Sequence, residues 1–220
     1  MDKHLHADLT AIACSSFADA DKTLRVMDAG MRRVNDGAKL VGVARTVRCH
    51  EDFLAVIRAL ADAQPGDVLV VDTDGSRRAV VGELFSLEAT RRGLAGIIVD
   101  GTVRDLRTVA GLRLPVWARG LNPKSGTTRD PGAVQVPVTC GGVVVNPGDV
   151  VLGDEDGIVV ATAAEFAALV PTARAIEERE ARVRARMAAG HALTDMLNLD
   201  AHLAALARGE ASKLAFKLDD

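Results

Sequence analysis

The sequence lacks tyrosine altogether, and aromatic residues make up only 3% of its 220 residues. Proteins that bind single-stranded nucleic acid stack the bases on aromatic side chains, so this scarcity argues against such a role. The formal net charge of −3 also lacks the basic excess of nucleic-acid-binding domains. We therefore expect no nucleic-acid partner.

Cysteines and long apolar runs are scarce as well. Cys14, Cys49 and Cys140 are scattered and form no C-x-x-C motif, which predicts neither a disulfide framework nor a zinc site. Residues 1–9 are charged and lack the apolar core of a signal peptide. No apolar run approaches the length of a membrane span. We expect a cytoplasmic chain that has no membrane partner.

What the sequence does contain is an alternation of Val-rich segments with segments of helical apolar spacing. This alternation predicts an α/β domain in which Gly-containing turns, among them one at Gly101, separate the elements. Residues 133–161 are predicted to form short strands. The other predicted strands are residues 39–48, 68–71, 79–81, 95–99 and 116–118, and the predicted helices are residues 11–29, 51–63 and 82–92.

The composition changes after residue 162. Residues 165–187 are rich in alanine and in charges of both signs, and residues 193–206 form a further amphipathic stretch. Both patterns predict helices. We therefore predict an α/β core over residues 1–162 and a helical C-terminal extension over residues 163–220, the latter facing another subunit.

The first candidate site is the segment Gly82-Glu83-Leu84-Phe85, which joins a predicted strand to a predicted helix. The first backbone N–H groups of a helix have no partner within it and attract anions, and Gly82 would let a ligand approach closely. The alternative is that Gly82 only turns the chain and Glu83 only complements the helix dipole. These residues alone favour that alternative.

The second candidate site is the adjacent pair Arg104-Asp105, a few residues beyond a buried strand, where α/β sheets present their ligand sites. Arginine can bind a carboxylate through two hydrogen bonds, and aspartate is a hard oxygen ligand for Mg²⁺. A solvated surface ion pair is the alternative, and it is favoured on the pair alone. Because the two candidate segments follow successive strands, we expect them to share one crevice.

A series of short motifs in fixed order then makes the sequence resemble the RraA-like family. That family includes 4-hydroxy-4-methyl-2-oxoglutarate aldolase, a class II pyruvate aldolase, and a regulator that binds ribonuclease E. Each motif is weak alone, but the ordered set is highly specific and covers most of the chain up to residue 161. The motifs are VMDAG (26–30), PGDVLVVD (65–72), GEL (82–84), residues 93–105, VWARG (116–120), CGGV (140–143), PGD (147–149) and GDEDG (153–157).

The resemblance implies roles for the candidate residues. Gly82, Glu83, Leu84 and Phe85 would bind the carboxylate and carbonyl end of the substrate, together with Arg104. Asp105 would hold a divalent metal ion, Mg²⁺ or Mn²⁺, and Glu83 would order water around it. Family members often carry a basic residue in the loop after residue 120, and here both Lys124 and Arg129 are open candidates.

The resemblance also implies a swivelling β/β/α fold assembled as a homotrimer or a dimer of trimers. The implied reaction is metal-dependent cleavage of 4-hydroxy-4-methyl-2-oxoglutarate, or a related 4-hydroxy-2-oxo acid, to pyruvate, with oxaloacetate decarboxylation through the same enolate. Family aldolases complete the site with an acidic residue from a neighbour's C-terminal region, for which Glu180 fits best. A protein-binding regulator of ribonuclease activity, without catalysis, is the alternative. The C-terminal extension favours the aldolase, because the short regulators lack that region.

Overall fold

The structure, a computed structural model, describes residues 1–217 of the chain. Over these residues the chain alternates short strands with helices, and from residue 163 to residue 207 its regular elements are helices. No helix among them has the length and apolarity needed to cross a membrane. The helices are α1 (Lys3–Ala11), α2 (Cys14–Ala20), α3 (Leu54–Asp62), α4 (Glu83–Arg91), α5 (Leu106–Val109), α6 (Ala163–Ala188) and α7 (Leu199–Ala207), with a 3₁₀ turn at Leu193–Met196.

The strands form one large mixed sheet and a separate two-stranded ribbon. The sheet has the order β1-β11-β10-β3-β4-β5-β6-β2, with β7 beside β3, and β8 pairs with β9 in the ribbon. Because only residues 27–31 join its two outermost strands, the sheet is strongly curled. The strands are β1 (Arg25–Val26), β2 (Arg32–Arg33), β3 (Leu40–Arg48), β4 (Asp67–Asp72), β5 (Gly96–Val103), β6 (Val116–Leu121), β7 (Ala133–Val134), β8 (Val138–Cys140), β9 (Val143–Val145), β10 (Val150–Gly153) and β11 (Ile158–Ala161).

The central strands β3, β4, β5 and β6 run parallel, so their carboxyl ends lie at one edge of the sheet. Strands β4 and β5 are rich in Val or Ile and almost wholly buried, as expected for parallel strands covered on both faces. Helices α3 and α4 pack against one face through an apolar cluster that includes Val56, Leu69 and Ile97. This packing fixes the amino end of α4 beside the carboxyl end of β5.

The predicted α/β class with C-terminal helices is confirmed, but three local predictions are wrong, two of which concern the fold here and one the strand predicted at residues 79–81. The chain does not turn at Gly101, because β5 continues to Val103 across a register shift between Val99 and Thr102. A Cβ atom on Gly101 would lie 2.5 Å from the Thr73 hydroxyl oxygen. The glycine therefore marks a bulge and a close approach within the strand.

The single helix predicted over residues 11–29 is the second error. The structure instead has the end of α1, the short helix α2 and strand β1 in this range. Arg25 and Val26 pair with Val160 and Val159 of β11. Pairing with a strand more than 130 residues away overrides the local helical pattern.

The C-terminal extension begins with a capping box. The Thr162 hydroxyl accepts a hydrogen bond from the Glu165 amide at 3.2 Å, and the Glu165 carboxylate accepts one from the Thr162 amide at 2.7 Å. The first half of α6 packs on α1, α2 and the sheet, with the rings of Phe17 and Phe166 5.2 Å apart. In contrast, α7 has no buried residue among those described. The boundary at 162/163 and the subunit-facing role stay predictions, and residues 218–220 of the predicted extension lie outside the described residues.

Candidate active site

The two candidate segments meet at the carboxyl end of β5. Val81 and Val103 form an isolated parallel bridge, and the Arg104 amide donates a hydrogen bond to the Val81 carbonyl oxygen at 3.1 Å. The residues that follow these two valines, Gly82 and Arg104, are thereby held side by side. Residues 79–81 contribute isolated bridges here and do not form the strand predicted for them.

The amino end of α4 presents backbone donors to this position. The first hydrogen bond of the helical pattern runs from the Ser86 amide to the Gly82 carbonyl at 3.1 Å. The Glu83 amide donates to Asp105 Oδ2 at 3.1 Å. Within residues 1–217 the amides of Leu84 and Phe85 have no acceptor. Two backbone N–H groups at the positive end of the helix dipole are thus available to an anionic ligand.

Asp105 has an unusual backbone conformation that aims its carboxylate at the start of α4. Its φ of 58° and ψ of 41° lie in the left-handed region, which aspartate tolerates better than most residues. Its Oδ2 atom accepts the Glu83 amide and lies 3.3 Å from Arg104 Nε. The Asp105 side chain remains 33% exposed, so the carboxylate is both oriented and accessible.

The Glu83 carboxylate accepts a hydrogen bond from a residue that the sequence analysis did not single out. The Thr108 hydroxyl of α5 donates a hydrogen bond of 2.7 Å to Glu83 Oε2. Glu83 therefore binds Asp105 through its backbone amide and Thr108 through its carboxylate. No local signal in the sequence points to Thr108, because the contact depends on how α5 packs against α4.

The residues of the two candidate segments line one pocket of about 300 Å³. It contains all six residues predicted in the two segments, from Gly82 to Phe85 and Arg104-Asp105. It also contains residues that the sequence analysis missed, namely Phe53 before α3, Ser125 of the loop after β6, and the segment 79–81. Lys124 and Arg129 have exposed side chains and are not among the lining residues. The loop thus contributes a serine to the pocket wall.

The buried carboxylate of Asp52 fixes this loop and the adjoining end of α3. Its side chain is only 2% exposed. Burial alone would raise the pKa of Asp52, but four hydrogen bonds outweigh it and lower the pKa to about 2. The donors are the Thr127 hydroxyl at 2.7 Å and the amides of Leu54, Arg129 and Asp130 at 2.9, 2.6 and 3.1 Å.

We expect Asp52→Asn to lower the free energy of unfolding at neutral pH by about 2 kcal/mol, because an amide cannot accept all four hydrogen bonds. The folded pKa lies below the ordinary value of 3.8. The stabilisation is therefore present above about pH 4 and is lost as the pH falls through about 2. Urea unfolding between pH 2 and 7 would measure the difference, with Asp62→Asn on the exposed end of α3 as the control. A constant difference down to pH 2 would contradict the assignment.

The donor set of the pocket fits a hard divalent cation that keeps most of its water. Within residues 1–217 no three His, Cys, Asp or Glu side chains cluster as metal ligands. The pocket offers the two carboxylates of Asp105 and Glu83. Mg²⁺ is bound by one or two carboxylates plus water and substrate oxygens, whereas structural zinc needs four protein ligands. The set therefore suits Mg²⁺ or Mn²⁺ and not zinc.

The acidic residues of α6 differ in their contacts. Glu177 accepts hydrogen bonds from the Ala13 amide at 2.7 Å and the Ser16 hydroxyl at 3.4 Å, so it binds the start of α2 within the same chain. Glu180 lies 3.6 Å from Arg184, and its side chain is 46% exposed. The cross-subunit role of Glu180 stays a prediction.

Cys140 offers no alternative nucleophile. Its side chain is fully buried, and burial, followed by the nearby negative charge of Asp100, raises the pKa of the Cys140 thiol well above its ordinary value. A protonated, inaccessible thiol is a poor nucleophile.

Comparison with known proteins identifies the family and agrees with the fold. A profile of the RraA-like family (Aldolase/RraA) matches residues 10–160. A protein of Halalkalibacterium halodurans, provisionally named 4-hydroxy-4-methyl-2-oxoglutarate aldolase, is 37% identical over 151 residues, which are 68% of this chain and 72% of that protein.

Two solved structures of proteins described as RNA-processing or ribonuclease inhibitors, or as members of such a family, are also similar. Streptomyces coelicolor RraAS2, described as an unusual member of the RNase ES inhibitor RraA family, has a TM-score of 0.75 at 34% identity over 84% of this chain and 97% of its own. The RNA-processing inhibitor RraA of Thermus thermophilus has a TM-score of 0.64 at 31% identity over 68% of this chain and 92% of its own. The family profile and these matches together show that the chain belongs to the RraA-like family.

Proposed function

We propose that this protein is a divalent-metal-dependent aldolase that cleaves 4-hydroxy-4-methyl-2-oxoglutarate, or a related 4-hydroxy-2-oxo acid, to pyruvate. The observation that carries the proposal is the meeting of Arg104, Asp105 and the free amides of α4 in one pocket. This arrangement can bind the carboxylate and carbonyl of a 2-oxo acid beside a cation. The name of the Halalkalibacterium halodurans relative supports the same reaction.

The chemistry requires stabilisation of negative charge on an oxygen next to the substrate carboxylate. Loss of the C4 hydroxyl proton and cleavage of the C3–C4 bond leave the electron pair on the enolate of pyruvate, which is then protonated at C3. The amides of Leu84 and Phe85 bind the carboxylate, and the Arg104 guanidinium donates to the enolate oxygen. A divalent ion held by Asp105 would act there as a Lewis acid. Decarboxylation of oxaloacetate yields the same enolate and is expected as a second activity.

We expect pyruvate release from 4-hydroxy-2-oxo acids to stop in excess chelator and to resume when Mg²⁺ or Mn²⁺ is added. Pyruvate can be measured through a coupled dehydrogenase, which is assayed alone with chelator as the control. The physical reason is that, among the described residues that line the pocket, Arg104 alone offers a positive charge to balance the enolate. Full activity in excess chelator, or covalent trapping of substrate by borohydride, would exclude this mechanism.

We further propose that the protein assembles as a trimer or a dimer of trimers in which Glu180 reaches a neighbour's pocket. Its support is the exposure of Glu180 on α6, in contrast to Glu177, whose carboxylate is used within the chain. Inactive Asp105→Asn and Glu180→Gln chains, dissociated and reassembled together, should then recover part of the wild-type activity. Reassembly of each variant alone is the control. No recovery, or an active Glu180→Gln variant, would contradict the shared site.

Binding and inhibition of a ribonuclease is the second candidate function, and it has a specific observation in its favour. Streptomyces coelicolor RraAS2, a member of a ribonuclease-inhibitor family, matches 84% of this chain. The matched region therefore extends well beyond residue 160. The presence of a C-terminal extension therefore does not distinguish an aldolase from a ribonuclease regulator. Failure of all 4-hydroxy-2-oxo acids to release pyruvate, together with inhibition of a ribonuclease by the Asp105→Asn variant, would favour the regulator.

A further inference from the structure

We propose that Thr108 is a positioning residue of this site, which acts by holding the Glu83 carboxylate in place beside Asp105. The inference rests on the proposed function, because it assigns a role within the same pocket. Glu83 and Asp105 line the pocket, whereas Thr108 is not among the lining residues. Thr108 therefore acts through Glu83 and does not itself touch the substrate or the metal ion.

Three hydrogen bonds connect Glu83, Asp105 and Thr108 in a closed ring. The Glu83 amide donates to Asp105 Oδ2 at 3.1 Å, and the Thr108 hydroxyl donates to Glu83 Oε2 at 2.7 Å. The Thr108 amide donates to the Asp105 carbonyl oxygen at 3.0 Å and completes the ring. The Asp105 carboxylate is thus held by a group at the start of α4, and the Glu83 carboxylate by a group of α5.

Helix capping does not account for these contacts. Asp105 occupies the N-cap position of α5, where an aspartate commonly accepts a hydrogen bond from one of the first amides of its own helix. Its side chain makes no such bond and accepts the Glu83 amide instead. The hydroxyl of Thr108, the third residue of α5, is likewise directed at Glu83. Both side chains connect α5 to α4, at the point where the pocket lies.

The short helix α5 is firmly anchored, so the Thr108 hydroxyl has a fixed position. Val109 is 1% exposed and belongs to the main apolar cluster, against which Leu112 also packs. The buried side-chain amide of Asn35 donates to the carbonyl oxygens of Val109 and Leu112 at 3.2 and 3.0 Å. A donor on a backbone fixed in this way can impose one orientation on a carboxylate that is only partly buried.

One carboxylate oxygen of Glu83 remains available to the pocket. Thr108 occupies Oε2, and within residues 1–217 Oε1 accepts no hydrogen bond and Glu83 has no ion-pair partner. If it were released, the carboxylate would be attracted to Arg104, the cation that the proposed function uses to bind substrate. Held by Thr108, it can instead accept a hydrogen bond from water on a bound Mg²⁺, which keeps several of its waters.

Thr108→Val in the whole protein tests this role, because valine keeps the shape of threonine and removes only the hydroxyl. We expect pyruvate release to slow about tenfold, as for the loss of a hydrogen bond to a charged group, and the melting temperature to shift by no more than about 4 °C. Thr108→Ser keeps a hydroxyl and should restore most of the turnover. Unchanged turnover in Thr108→Val, or an equal loss in Thr108→Ser, would overturn the inference.

The matched control is Thr90→Val on α4. The Thr90 hydroxyl donates to the Ser86 carbonyl oxygen at 2.8 Å within the same helix, and Thr90 does not line the pocket. This variant should keep wild-type turnover. In a Glu83→Ala background, Thr108→Val should cause no further loss, because the two residues act as one unit. Additive losses would show that Thr108 acts independently of Glu83 and would overturn the inference.

Water exchange on bound Mn²⁺, measured by oxygen-17 NMR without substrate, separates this inference from the proposed function. We expect Thr108→Val and Glu83→Ala each to speed the exchange by about threefold or more, because a bound water loses its acceptor, and Thr108→Ser to leave it unchanged. This pattern in a protein that releases no pyruvate would support the role of Thr108 and reject the aldolase. Unchanged exchange in Thr108→Val, or no binding of Mn²⁺, would overturn the inference.

Discussion

Asp105→Asn is expected to abolish pyruvate release and to reduce Mg²⁺ affinity while leaving the fold intact. Asparagine tolerates the left-handed conformation of residue 105 and can still accept the Glu83 amide. The variant therefore removes the negative charge without straining the backbone at residue 105. Asp105→Ala should be equally inactive but also less stable, because alanine is strained at a φ of 58°.

Turnover and Mn²⁺ affinity, the latter measured by electron paramagnetic resonance, would check this expectation. Arg104→Ala provides the contrast within the same pocket, because it should keep the metal ion but lose about 2–4 kcal/mol of transition-state stabilisation, roughly 10²–10³-fold in turnover. Arg104→Lys should not restore activity, since an ammonium group lacks the planar fork of a guanidinium. Near-normal kinetics in Asp105→Asn or Arg104→Ala would place the site elsewhere.

The sequence predicted that the two candidate segments lie in one pocket. Gly82 and Arg104 each follow a short Val-containing segment, and in a parallel sheet the ends of neighbouring strands share one edge. The structure adds a direct bridge between Val81 and Val103. The two segments therefore meet as predicted, but through this isolated bridge, because residues 79–81 do not form the neighbouring strand from which the meeting was predicted.

The remaining wall of the pocket was beyond sequence reasoning. Phe53 is held in the pocket by pairing with Thr127, and Asp52 binds the same loop from 75 or more residues away. Phe53 was predicted simply as an apolar position of a helix, which is how its spacing appears locally. Contacts of this range depend on loop conformation, for which a single sequence carries no periodic signal.

The pocket has no room for a side chain at Gly82. Its φ of −152° is extended backbone that any residue adopts, so conformational freedom does not explain the glycine. The explanation is steric, because a Cβ atom at this position would lie 2.4 Å from Asp105 Oδ2 and 2.9 Å from Arg104 Cγ. Only the absence of a side chain lets both functional groups approach the start of α4.

We therefore expect Gly82→Ala to fold normally but to lose about a hundredfold or more in turnover, since a displacement of about 1 Å at reacting groups has costs of this size. Steady-state kinetics and thermal unfolding would separate the two effects. Gly120→Ala in β6 is the matched control, because a Cβ atom there would meet nothing within 4 Å, and it should keep wild-type kinetics. If Gly82→Ala retained full activity, Arg104 and Asp105 would not need their observed positions, and the pocket described here would not be the catalytic site.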